Sequence, residues 1–232
     1  MIDQLIQWDK ALLVALNGSD SDFLDGIMWT ITKTSTWIPL FACLFYAIVR
    51  NNKWRGILLL IGMIVLLVTI TDQFASGFCK PFFHRLRPAH SPDLASVIDL
   101  VRDYRCGSYG FISSHASNTF GVATFFMLLL RSRSATALMF LYACLSSYSR
   151  IYLGVHYPLD ILCGALWGVL SGVFVHWLSR WLAARLSLTP LAADEACTVT
   201  GYRVKDLRPI CWVFPLTMVY ILIQAGLFMS NP

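Results

Sequence analysis

Three short polar groups interrupt an otherwise apolar chain, and their residue types suit the handling of an anion with several oxygens. The first runs from Lys80 to Pro88, with Lys80 and Arg87 at its two ends and a proline fixing the exit. The second is Ser113-Ser114-His115, directly before an apolar run. The third is Ser149-Arg150 followed by His156 and Asp160. Singly, each has an ordinary structural explanation. Cations beside a membrane helix anchor headgroups, serines before an apolar run cap helices, and a His/Asp pair can do the same. Together, two histidines, a carboxylate and several cations at one membrane face are costly to keep near lipid unless they are used.

Arginine supplies planar paired donors and lysine a point charge, so Lys80, Arg87 and Arg150 form a clamp suited to phosphate. A helix starting at Ser113 and Ser114 would aim free backbone N–H groups and its positive dipole end at the same pocket. Pro158 fits the first turn of a following helix, which lets Asp160 reach back four residues to His156. A carboxylate holding one ring nitrogen frees the other to attack phosphorus, making His156 the candidate nucleophile. His115, delivered by another segment, can protonate a departing oxygen and then activate water. No Cys/His spacing or acidic cluster suggests a metal, and no cofactor is expected. Asp93, Asp99 and Asp103 are read as solvated, and the cations would do the charge stabilisation.

The elements that must position these groups are membrane spans. A soluble domain of 232 residues would carry roughly 25% charged residues. This chain has 13% charged and 57% hydrophobic residues, with a mean hydropathy of +0.63, which excludes disordered, collagen-like and coiled-coil classes. The net charge of +5 is not read as a nucleic-acid footprint, because the basic residues cluster between apolar runs. The expected fold is all-α, a single membrane domain over 1–232 with six transmembrane helices near 23–49, 55–78, 116–131, 134–152, 158–183 and 211–229. Pro39 is expected to kink the first span. Residues 1–18 read as an amphipathic interfacial helix ended by Asn17-Gly18, and Asp3 ahead of any basic residue argues against a cleavable signal. Residues 186–209 read as a polar loop.

Arg50, Lys53, Arg55, Arg131, Arg133, Arg180, Arg185, Arg203, Lys205 and Arg208 collect in alternate loops and mark a cytoplasmic side. The polar groups then fall on the opposite face. Seven cysteines are too scattered for a disulfide scaffold; Cys43, Cys144 and Cys163 read as buried hydrophobes, and Cys79 and Cys106 could pair across the polar loop.

The segment from Lys80 to Pro88 resembles the K-x6-R-P motif of the type 2 phosphatidic acid phosphatase (PAP2) superfamily. Ser149 to Asp160 is similar to its S-R-x5-H-x3-D motif, and Ser113-Ser114-His115 stands in the place of P-S-G-H. Ile112 replaces the proline of that middle motif and Ser114 its glycine. The resemblance covers about residues 55–180, the expected catalytic core. It implies a metal-independent lipid phosphatase working through a phosphohistidine. Carried over, Lys80, Arg87 and Arg150 bind phosphate, Ser113 and the Ser114 backbone contact it, His115 is the acid, His156 the nucleophile and Asp160 its partner. His84 and His90 are left as surface or headgroup contacts and His176 as structural.

The expected partner is a phosphorylated lipid in a bacterial inner membrane, with the site facing the periplasm or exterior. Lipid A phosphate and undecaprenyl diphosphate are the foremost substrates, the long loop from Pro88 to Phe111 suiting a bulky head. A phosphotransferase using the same phosphohistidine is an alternative. So is a non-catalytic phosphate or lipid transporter, although no internal repeat is visible.

Overall fold

The computed structural model describes residues 1–94, 96–188 and 196–230, and these are helical with only isolated bridges and no strand. Helix α1 spans Ile2–Leu16 and stops where Gly18 takes a φ of +59°. Asn17 then ties this end down. Its side-chain amide donates to the carbonyls of Tyr152 (2.7 Å) and Asp99 (3.0 Å), and its oxygen accepts from the Asp99 N–H. Leu13 and Asp9 are buried, whereas Ile2, Leu5, Trp8 and Leu12 are exposed. The inward face of α1 thus carries a carboxylate.

The first expected span is two helices, α2 (Asp22–Ile31) and α3 (Ile38–Asn51), bent by 68°. The break is not at Pro39, which sits harmlessly in the first turn of α3. It lies at Thr34–Trp37, where side chains replace helical hydrogen bonds: Thr36 donates to the Thr30 carbonyl (2.6 Å) and the Trp37 indole to that of Ile31 (2.9 Å).

Helix α4 (Trp54–Asp72) continues through a π turn, Gln73–Cys79, into the short α5 (Lys80–Phe83). A π turn takes an extra residue and so rotates the face that follows it, here the face carrying Lys80. Helices α6 (Ser114–Leu130), α7 (Arg133–Tyr152), α8 (Pro158–Arg185) and α9 (Val204–Met229) complete the bundle. Three stretches, Trp54–Phe83, Pro158–Arg185 and Val204–Met229, are long and apolar enough to cross a membrane, and the bent α2–α3 pair makes a fourth. Helix α6, at 17 residues, is too short for that group, and α7, with its serines and Arg150, is too polar for it. Helix α6 packs against α4, α7 and α8, so its serines, threonines and asparagine need not meet lipid.

Helix α9 begins at Val204, seven residues before the expected 211, which corrects the polar loop assigned to 186–209. Lys205, Asp206, Arg208 and Pro209 read locally as loop. Tertiary pairing overrides them: Asp206 is buried against Arg203 (2.8 Å) and the Asn51 amide (3.1 Å). The part of that stretch from 189 to 195 lies outside the described residues.

The α6–α8 seam fixes the site. Gly164, Gly168 and Gly172 form a one-per-turn stripe on α8 against the α6 backbone. A Cβ at Gly164 would stand 2.5 Å from the Ser113 carbonyl oxygen, one at Gly172 2.7 Å from that of Gly121, and one at Gly168 would collide with that of Ser117. Gly168→Ala is expected to cost about 1–3 kcal/mol by overpacking, read as a lowered midpoint of thermal unfolding in detergent. Gly62→Ala, where a new Cβ meets nothing within 4 Å, is expected not to lower the midpoint, alanine being the better helix former.

Candidate active site

Residues Leu153–Tyr157 link α7 to α8, and Gly154 at φ +67° supplies the left-handed turn this link needs. Asp160, in the first turn of α8, accepts the Tyr157 N–H on Oδ2 (3.1 Å) and faces His156 Nδ1 with the same oxygen (3.3 Å). On the other side of the ring, Arg87 Nη1 lies 2.9 Å from Nε2. A guanidinium only donates, so Nε2 must be the acceptor and Nδ1 carries the hydrogen that points at Asp160. Burial, together with the charges of Arg87, Arg150 and Lys80, pushes this imidazole well below its ordinary pKa. The ring is therefore neutral, with its lone pair on Nε2, as a nucleophile requires.

Arg87 is anchored by the carbonyls of Tyr109 (3.1 Å) and Val155 (3.0 Å). Gly110 passes so close that a Cβ there would sit 3.1 Å from both Arg87 Cγ and Asp160 Oδ2. Arg150, at the end of α7, donates to Thr32 Oγ1 (2.7 Å) and the Cys106 sulfur (3.3 Å), while its Nε has no partner among the described residues. Lys80 Nζ donates to Ser114 Oγ (2.9 Å) and Ser76 Oγ (3.1 Å). Arg87, Arg150 and Lys80 lie within electrostatic reach of one another and of His156.

Ser113 caps α6: its Oγ accepts the Ala116 N–H (3.3 Å), and its own N–H donates to the Asp160 carbonyl (3.0 Å). Its Oγ thus caps α6, and its N–H joins α6 to α8. Ser114 and His115 open the helix, where N–H groups have no carbonyl inside the helix to reach. Ser114 is not among the residues with positive φ, so a serine in the glycine position strains nothing. His115 Nε2 meets Ser146 Oγ at 2.8 Å and lies within electrostatic reach of Arg150 and His156. The two imidazoles share one site.

Several neighbours carry no local sequence signal. Arg85 bonds Asp160 Oδ1 (2.7 Å) and Asp9 Oδ2 (2.6 Å), and lies 4.0 Å over the Tyr157 ring. Thr32, Ser146 and Cys106 also belong to the site, Ser146 being hinted at by the serine cluster within α7. Cys79 and Cys106 are free thiols, one buried near Ile112 and the other beside Arg150. His84 is exposed, and His90 bonds the Cys106 carbonyl (2.9 Å). Asp93, Asp99 and Asp103 are exposed, and Asp93 pairs with Lys10. His176 lines a cavity with Lys53, Arg55 and Arg180, well away from the dyad along α8.

Residues 61–184, more than half of the chain, match the PAP2 superfamily. The chain belongs to that superfamily. It is 34% identical over 226 residues to a lipid A 4′-phosphatase of Bacteroides thetaiotaomicron, covering 97% of this chain and 98% of that protein. It is 34% identical to one of Porphyromonas gingivalis, covering 93% and 92%. An undecaprenyl-diphosphatase of Sulfolobus acidocaldarius is 28% identical, covering 72% and 76%. Among solved structures, that of Aquifex aeolicus LpxE superposes with a TM-score of 0.56 at 25% identity, covering 71% of this chain and 92% of that one. As a PAP2 protein the chain is a phosphoric ester hydrolase and an integral membrane protein.

Proposed function

We propose that this PAP2 enzyme removes a phosphate from the headgroup of a membrane lipid, a monoester or diphosphate, through a phosphohistidine on His156. The observation that carries the lipid reading is a groove of ≈ 390 Å³ that begins at His115 and Ser146 and continues between Trp37, Phe41, Phe45 and Val68. Its walls come from α3, α4, α6 and α7. One side chain, His115, thus borders both the cationic pocket and an apolar furrow. That pairing suits a phosphate attached to a hydrocarbon tail.

The anion binds Lys80, Arg87, Arg150 and the free N–H groups at the start of α6. Arg87 then exchanges its bond to His156 Nε2 for a phosphate oxygen, releasing the lone pair. Nε2 attacks phosphorus, the bond to the lipid oxygen breaks, and His115, which takes up a proton together with the anionic substrate, gives that proton to the departing oxygen. Water then attacks the phosphohistidine, His115 takes back a proton, and the N–P bond breaks to free phosphate. Asp160 stabilises the positive ring formed between the two displacements. The three cations supply the charge stabilisation, and no metal is needed for it.

The relatives that are lipid A 4′-phosphatases over nearly their whole length favour lipid A phosphate, with undecaprenyl diphosphate next. The chain works as one domain in the bacterial inner membrane. Helices α6 and α7 join the four apolar units to give six spans, with α1 at the interface. The basic loops meet at the far end of α4 and α8, where Arg203 bonds the Arg50 carbonyl and Thr200 that of Leu130. That supports a cytoplasmic basic end and a periplasmic site.

Detergent-purified protein incubated with lipid A, undecaprenyl diphosphate and phosphatidylglycerol phosphate is expected to release free phosphate from at least one. Activity is expected to persist undiminished in excess chelator; a strict Mg²⁺ requirement would overturn the cation-only mechanism. Phosphate recovered only on an added acceptor lipid would make the protein a phosphotransferase.

A further inference from the structure

We propose that Asp9 and Arg85 are positioning residues for the His156–Asp160 pair, so that the N-terminal helix is a working part of the active site. The proposal deepens the phosphohistidine reading above and rests on it. Arg85 forks between two carboxylates that are far apart in the chain. Nη1 holds Asp160 Oδ1 at 2.7 Å and Nη2 holds Asp9 Oδ2 at 2.6 Å, with the guanidinium stacked on Tyr157 at 4.0 Å. Both carboxylates are buried, with side-chain exposures of 0% for Asp160 and 2% for Asp9. Buried charges persist only when paired and hydrogen-bonded. Asp9 uses its second oxygen to accept the Leu159 N–H at 2.9 Å, one of the first-turn donors of α8 with no carbonyl inside the helix.

The consequence follows atom by atom. Asp160 must accept from His156 Nδ1, because Arg87 can only donate to Nε2. A proton on Asp160 would let it donate instead, and the tautomer with a free Nε2 would lose its support. Arg85 keeps the carboxylate charged and fixes its rotation by holding Oδ1, so that Oδ2 faces the ring. Asp9 in turn fixes Arg85, acting from a helix 76 residues upstream. The charged and titratable groups around the ring are Lys80 on α5, Arg85 and Arg87 in the following loop, His115 on α6, Arg150 on α7 and Asp160 on α8. Arg85 is the one of these that bonds Asp160 side chain to side chain through Oδ1.

The test compares Arg85→Gln, Arg85→Lys, Asp9→Asn and the double variant Asp9→Asn/Arg85→Gln in the full-length protein. Arg85→Gln is expected to lower kcat by about 10²-fold and Asp9→Asn by about 10-fold, as for groups that orient a catalytic side chain, with KM within about twofold. In Arg85→Gln the acid limb of kcat moves to higher pH, since a carboxylate that has lost its cation holds protons more readily, on itself or on the ring beside it. Asp9→Asn removes an anion and does not raise that limb. Lysine at position 85, a single point charge, restores the limb but only part of kcat. In the double variant, the loss of Asp9 adds nothing to the loss of Arg85. Additive losses, or an unmoved acid limb in Arg85→Gln, would show that Asp9 and Arg85 merely staple α1 to the bundle.

A readout without turnover separates this proposal from the phosphatase reading. In histidine-labelled protein followed by NMR, with His156 assigned by its substitution, the wild-type ring is expected to stay neutral, with its hydrogen on Nδ1, at pH values where a free imidazole has already taken up a proton. Arg85→Gln is expected to raise the pH at which it changes. An unchanged ring in Arg85→Gln overturns the positioning role whether or not the protein releases phosphate. Activity absent from the wild type with every lipid overturns the phosphatase reading alone.

Discussion

His156→Ala is expected to abolish phosphate release, lowering turnover by about 10⁴-fold or more, the scale seen when a nucleophile is removed. The imidazole is 1% exposed and held on both sides, so its Nε2 keeps the lone pair that the proposed attack on phosphorus needs. Alanine removes the attacking atom and leaves Asp160 facing a void. His156→Gln, which returns an amide to that space, is not expected to rescue activity. Rapid quench of the wild type with radiolabelled substrate should trap an acid-labile phosphoprotein that His156→Gln does not form. Lys53→Ala, at the opposite end of α4, is the control for a cation outside the site. Full hydrolysis by His156→Ala would remove the phosphohistidine mechanism.

Arg87→Lys is expected to lower kcat/KM by about 10²–10³-fold, comparable to losing one preorganised donor at a developing charge. Lysine keeps the positive charge, so a loss of this size measures geometry. The guanidinium reaches the Tyr109 and Val155 carbonyls and His156 Nε2 together, and an ammonium on a flexible stem cannot hold that arrangement. Inhibition by inorganic phosphate or vanadate should weaken in parallel, because in the proposed mechanism the same side chain receives the anion. Undiminished inhibition with lost turnover would assign Arg87 to the ring alone.

The chemistry was legible in the sequence because it is written in short spacings. Lys80 to Arg87, Ser113 to His115 and Arg150 to Asp160 each lie within helix ends and the short links beside them, where near neighbours dictate geometry. The i, i+4 relation of His156 and Asp160 and the capping by Ser113 are of this kind. The stripe at Gly164, Gly168 and Gly172 took its meaning only from the fold, which sets it against the α6 backbone.

Longer-range features depended on packing. The bend before α3 falls where the Thr36 and Trp37 side chains can satisfy opened carbonyls, and not at the proline that marks such places locally. Helix α9 starts early because Asn51 and Arg203 neutralise a carboxylate that reads as loop. The protonation pattern of His156 required Arg87 on the far side of the ring, and the setting of Asp160 required Arg85 and, through it, Asp9. The amino-acid order alone determined an all-helical membrane protein and singled out the cations, histidines and carboxylate that the fold brings together. Only the tertiary structure decided which of its charges meet, because a buried charge is stabilised by whatever partner packing brings within hydrogen-bond reach, however distant along the chain.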